Sequence, residues 1–122
     1  MFKSLIVEDN GNYRKILKQS LEERFPFMSI EEVADGKEAL QKIGAFPPHL
    51  IFMDIQLPGE SGLQLTQKIR IDHPEIVIVI LTSFDFPEYR EAAVQYGASH
   101  YFTKDSLNLN EIEEIVKSIG WT

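Results

Sequence analysis

The run Ile76-Val77-Ile78-Val79-Ile80-Leu81 constrains the fold more than any other feature of this chain. It has no polar face to turn to water, and it is mostly β-branched. Such a strand is buried on both sides, which is the place of a central strand in a parallel sheet covered by helices. The run stops at Thr82. Three other apolar segments also stop on residues that carry chemistry. Leu5-Ile6-Val7 runs into Glu8-Asp9, Leu50-Ile51-Phe52-Met53 into Asp54, and a short segment around Tyr101-Phe102 reaches Lys104.

The segments between these runs read as helices. Residues 11–25 carry Tyr13, Ile16, Leu17, Leu21 and Phe25 at a spacing of three and four, and Pro26 stops them. Met28 to Val33 reads as a short strand. Asp35-Gly36 is a turn, with Asp35 placed to cap a helix through Ala39, Leu40 and Ile43 that ends at Gly44. Pro47-Pro48 precedes the strand His49–Asp54. A loop over Pro58-Gly59 and Ser61-Gly62 leads to a helix through Leu63, Leu65, Ile69 and Ile71, ending before Pro74. Pro87 opens a helix through Val94 that ends near Gly97. His100 to Thr103 is a strand. Ile112, Ile115, Val116 and Ile119 define the last helix, with Asn108 or Asn110 as its cap. Five strands alternating with five helices make a doubly wound α/β sheet, because parallel strands need crossover helices.

At 122 residues this is read as one domain, spanning 1–122. There is no Cys, so a disulfide framework and a thiolate site are excluded. No apolar stretch approaches the ~18 residues of a membrane span, and no signal peptide is evident, so the cytoplasm is the expected compartment. The net charge of −7 makes the domain a poor partner for nucleic acid. Most acidic residues, such as Glu22, Glu23, Glu111, Glu113 and Glu114, solvate helix faces. His49, His73 and His100 lack metal-ligand spacing and read as surface or loop residues.

Glu8, Asp9 and Asp54 need another explanation. If the strands are parallel, they share one sheet edge with the Thr82 hydroxyl and the Lys104 amine. Two carboxylates ~4 Å apart repel by about 4 kcal/mol at an effective dielectric of 20. Three must raise their pKa values or take a cation. Hard oxygen donors at an open edge favour Mg²⁺.

Glu8-Asp9, Asp54, Thr82 and Lys104, each at a strand end and in this order, resemble a response-regulator receiver domain over essentially the whole chain. Leu57-Pro58-Gly59 and Gly62 match that family's loop after its phosphoacceptor. The resemblance implies a flavodoxin-like sheet of order 2-1-3-4-5, with Asp9 beside Asp54 at the switch point of strand order. It implies Asp54 as phosphoacceptor from the phosphohistidine of a sensor histidine kinase or phosphotransfer protein. Mg²⁺ would be held by Asp9, Asp54 and the backbone carbonyl of Gln56, with Glu8 acting through water. Thr82 and Lys104 would bind the phosphoryl group, and Tyr101 would be a switch residue. A homodimer through the fourth helix, fifth strand and fifth helix is a further implication.

Asp105 stands where many receivers have Pro, so a trans Lys104–Asp105 bond is expected, since a non-Pro cis bond costs about 2.5–4 kcal/mol. Lys-Asp here resembles receivers that precede helix-turn-helix output domains, so a DNA-binding output beyond Gly120-Trp121-Thr122 is one expectation. Gln56 and Phe84 flank the site and are expected to modulate water access. Of the alternatives, an aspartate-nucleophile phosphohydrolase places a second Asp where this chain has Gln56, which cannot transfer the proton. A nucleotide hydrolase lacks its G-x-x-x-x-G-K-[ST] loop. The acidic strand ends would repel a flavin phosphate. A phosphorylation-independent interaction domain would have no use for the whole acidic set with Thr82 and Lys104.

Overall fold

The computed structural model describes residues 1–120; Trp121 and Thr122 of the expected tail lie outside them. The elements are β1 (Phe2–Val7), α1 (Gly11–Arg24), β2 (Met28–Val33), α2 (Gly36–Ala45) and β3 (Leu50–Asp54). They continue with α3 (Gly62–Asp72), β4 (Val77–Thr82), α4 (Pro87–Gln95), β5 (His100–Thr103) and α5 (Leu109–Ser118). The five strands are parallel, in the order β2-β1-β3-β4-β5. This is the expected fold.

Strand alternation divides the core in two. Leu5, Val7, Ile51, Met53, Ile78 and Ile80 pack under α2, α3 and α4. Phe2, Ile6, Leu50, Phe52, Val79 and Leu81 pack under α1 and α5. β3 is buried at every position, so its terminal Asp54 is carried into a dry strand end.

Side-chain caps begin four of the helices. Asn10, Asp35, Ser61 and Asn108 each accept from backbone N–H groups in the first turn, which settles the cap of α5 on Asn108 and not Asn110. α4 starts on Pro87 with no side-chain cap.

The structure corrects some details. α2 runs past Gly44 to Ala45, and β4 and β3 each start one residue later than expected. Ile16, Leu40, Ile71 and Val94 are exposed rather than on the buried faces. A helix turns about 100° per residue, so Ile16 lies a quarter-turn from Leu17, and Ile71 lies opposite Ile69. His49 occupies a loop but is half-buried: its Nδ1 accepts from Lys3 N–H at 3.0 Å and its ring stacks on Phe2 at 5.2 Å. His100 opens β5 and is exposed, as expected. Among the described residues there is no cis peptide bond, so Lys104–Asp105 is trans as expected.

Candidate functional site

β1 and β3 are adjacent, with Val7 level with Met53, so the residues that follow them emerge side by side. Glu8 and Asp54 are buried there, while Asp9 is exposed. Glu8, Asp9 and Asp54 each offer a carboxylate oxygen, and the three oxygens lie within 4.8 Å of one another. β4 ends beside β3 and delivers Thr82, fully buried. β5 lies outside β4, and the Lys104 N–H just beyond it bonds the Thr82 carbonyl at 2.8 Å. The expected strand-end set therefore converges.

The Lys104 ammonium reaches back across the edge. It lies 2.5 Å from Glu8 Oε1 and 3.7 Å from Asp54 Oδ2. Its third contact is the Tyr13 ring, 4.5 Å from the ring centroid. Burial works against a charge on Glu8, but Lys104, the Asn10 N–H and Asp54 together hold its carboxyl below the usual carboxylate range. Asp54 is moved the other way. Burial, then the hydrogen-bonded Glu8 carboxyl and its charge, push Asp54 up to about 7, against the pull of Lys104 and the Gln56 N–H. Tyr13 is pushed up to about 12 by burial and by the charges of Glu8 and Asp54, so its phenol stays neutral.

The β3–α3 loop closes tightly against Asp54. Gly62 N–H bonds the Ile55 carbonyl at 2.8 Å, and a Cβ on Gly62 would stand 1.8 Å from the Asp54 carbonyl oxygen. Gly59 takes a positive φ of 79° in the same loop. Gln56 is exposed two residues past Asp54.

Thr82 Oγ1 accepts from Phe84 N–H at 3.1 Å, and the Phe84 carbonyl accepts from the Tyr101 hydroxyl at 3.4 Å. One peptide segment thus joins the two residues. Arg90 stacks on the Tyr101 ring at 4.5 Å and pairs with Asp85 at 2.7 Å.

Two contributors to the site escape the sequence reading. Tyr13 was expected only on an apolar helix face, although an aromatic in the first helical turn after an acidic strand end is a usable signal. Arg14 bonds the Glu8 carbonyl at 2.7 Å and Glu32 at 2.8 Å, tying α1 and β2 to the acidic pair. Nothing local in the sequence marks that contact.

A five-stranded parallel sheet with this acidic edge defines a class, and comparison with known proteins names it. The chain belongs to the response regulator receiver domain family, which it matches over residues 4–117. These are signalling domains of two-component systems. It is 36% identical over 105 residues to the oxygen regulatory protein NreC of Staphylococcus aureus, covering 85% of this chain and 48% of that protein. It is also 36% identical over 105 residues to a protein-glutamate methylesterase/protein-glutamine glutaminase of Geobacillus kaustophilus, covering 85% of this chain and 30% of that protein. The chain thus spans half or less of either relative. The crystal structure of the response regulator TrrA of Thermotoga maritima, in complex with Mg²⁺-BeF, superposes with a TM-score of 0.83 at 34% identity. That match covers 98% of this chain and 99% of the other.

Proposed function

We propose that residues 1–122 are the phosphoacceptor domain of a response regulator, with Asp54 as the residue that takes the phosphoryl group. The observation that carries this reading is the environment of Asp54. It is a buried carboxyl at about 7, crowded by Glu8 and Asp9 and faced by one ammonium. An isolated structural carboxylate has no use for that arrangement.

The donor is a phosphohistidine on a sensor histidine kinase or phosphotransfer protein. An Asp54 carboxylate oxygen attacks phosphorus. The P–N bond breaks, its electron pair stays on that imidazole nitrogen, and the ring leaves neutral, either because its other nitrogen already carries a proton or by taking one up from water. Asp54 is left as an acyl phosphate. Lys104 swings from Glu8 to the phosphoryl oxygens, and the Thr82 hydroxyl turns from Phe84 to donate to one of them.

The donor set fits Mg²⁺: hard carboxylate oxygens converge at an open edge, and Asp54 resists ionisation without a cation. Asp9, Asp54 and the Gln56 carbonyl would hold it, with Glu8 acting through water. When bound, it offsets the negative charge of the carboxylates and phosphoryl oxygens. TrrA, similar over 98% of this chain, is described in complex with Mg²⁺-BeF, which supports Mg²⁺ as the cation here.

The domain is a switch rather than a turnover enzyme, since Gln56 supplies no acid or base. Tyr101 carries the change to a protein-interaction surface on α4, β5 and α5, where a homodimer can form. Any DNA-binding output belongs to another part of a longer protein, and the setting is the cytoplasm.

Incubation with Mg²⁺ and acetyl phosphate, read by intact mass, tests this. The P–O bond of the donor breaks and acetate leaves. One phosphoryl group is gained, and it is lost in Asp54→Asn and without Mg²⁺. If the wild type gains no mass and binds no beryllofluoride, the fold serves as a phosphorylation-independent interaction domain.

A further inference from the structure

We infer that Tyr13 is a positioning residue for Lys104: its ring face, not its hydroxyl, holds the ammonium over the acceptor. This rests on the reading of Asp54 as phosphoacceptor. Three contacts surround the Lys104 Nζ, namely Glu8, Asp54 and the Tyr13 ring. The two carboxylates are the groups a cation at the acidic edge would claim. The ring is the contact that no cation competes for.

The ring is held for this task. Asn10 Oδ1 accepts from Tyr13 N–H at 3.1 Å, so the residue just after the acidic pair fixes the backbone that carries the ring. Arg14, the next residue, is bonded to the Glu8 carbonyl and to Glu32. The first turn of α1, which carries the ring, is therefore tied to the backbone of Glu8 and Asn10. The ring and Lys104 both border a groove between α1 and α5, lined also by Ile16, Leu107 and Leu109. Removing the ring takes away the wall that keeps the flexible lysine at the acidic edge and leaves it free to fold into that groove. No hydrogen bond involves the Tyr13 hydroxyl among the described residues, which assigns the role to the ring.

The test compares Tyr13→Leu, Tyr13→Phe, Lys104→Ala and the Tyr13→Leu/Lys104→Ala double variant. The first readout is the dissociation constant of Mg²⁺-beryllofluoride; the second is the ring-current shift of the Lys104 ε-methylene protons. Tyr13→Leu weakens beryllofluoride by about three- to fivefold and abolishes the ring-current shift. Tyr13→Phe recovers both. In the Lys104→Ala background Tyr13→Leu causes no further weakening. Tyr13→Met, of similar volume, replaces Tyr13→Leu should the latter not fold, with the same result expected. Equal weakening with and without Lys104, or failure of Tyr13→Phe to recover binding, overturns the inference. Undiminished binding in Tyr13→Leu overturns it too, and leaves the phosphoacceptor reading standing. Absence of beryllofluoride binding in the wild type overturns that reading, and this inference with it.

Discussion

Gly62 and Asp54 are packed so closely that a Cβ on the glycine would stand 1.8 Å from the Asp54 carbonyl oxygen and 3.1 Å from Ile55 Cα. The obstacle is backbone, which cannot step aside as a side chain can. Gly62→Ala is therefore expected to destabilise the fold by about 3 kcal/mol, measured by urea unfolding. It should also displace Asp54 and slow labelling by acetyl phosphate. An unchanged urea midpoint would show that the loop can open without loss.

An ionised Asp54 weakens the fold. Its pKa is raised from 3.8 in the unfolded chain to about 7 in the fold. A raised pKa contributes stability that is fully present below 3.8 and is lost as pH rises through 7. Asp54→Asn removes that loss, so it should raise Tm at pH 8 by about 5 °C, and by less at pH 5. Mg²⁺ should raise the wild-type Tm at pH 8 and leave Asp54→Asn much less affected. An equal gain from Asp54→Asn at both pH values would contradict the assigned environment.

Thr82 and Tyr101 meet through Phe84, whose N–H bonds the first and whose carbonyl bonds the second. A Thr82 side chain that rotates toward a phosphoryl group carries its oxygen away from the Phe84 N–H. Mg²⁺-beryllofluoride should move the Phe84 amide resonance and the Tyr101 ring resonances together in a nuclear magnetic resonance titration. In Thr82→Val the Tyr101 ring should stay still. Full Tyr101 movement in that variant would mean that the ring responds by another route.

Arg70 ties the ends of three elements. It donates to the carbonyls of Gly97 at 2.9 Å, Pro74 at 2.9 Å, His73 at 3.3 Å and Ile76 at 2.6 Å. Gly97 has a φ of 95°, and a Cβ there would meet the Arg70 side chain at 2.8 Å. Arg70→Ala should cost about 2 kcal/mol in a denaturant melt, because these carbonyls lose their donor. Arg70→Lys should recover little of it, since an ammonium lacks the planar fork.

Much of the fold was readable in the sequence because its signals are local. A run such as Ile76 to Leu81 must be buried, and Asp35 and Asn108 start helices through bonds within a few residues. The errors fell where a local count meets a tertiary boundary. Ile71 and Val94 match an apolar spacing, but neighbouring elements cover only part of each helix, and both are more than three-quarters exposed.

The sequence by itself determined which residues close the strands, and so which chemistry stands at the sheet edge. Each apolar run stops at a polar residue, and Glu8, Asp9, Asp54, Thr82 and Lys104 stand at those stops. Only the tertiary structure decided how they pair. It set Lys104 on Glu8 rather than on Asp54, brought Tyr13 over the ammonium, and pressed Gly62 against Asp54. The first two contacts join residues far apart in the chain, and the third closes a single loop. Their distances follow from strand order and from helix crossings, which no local pattern encodes.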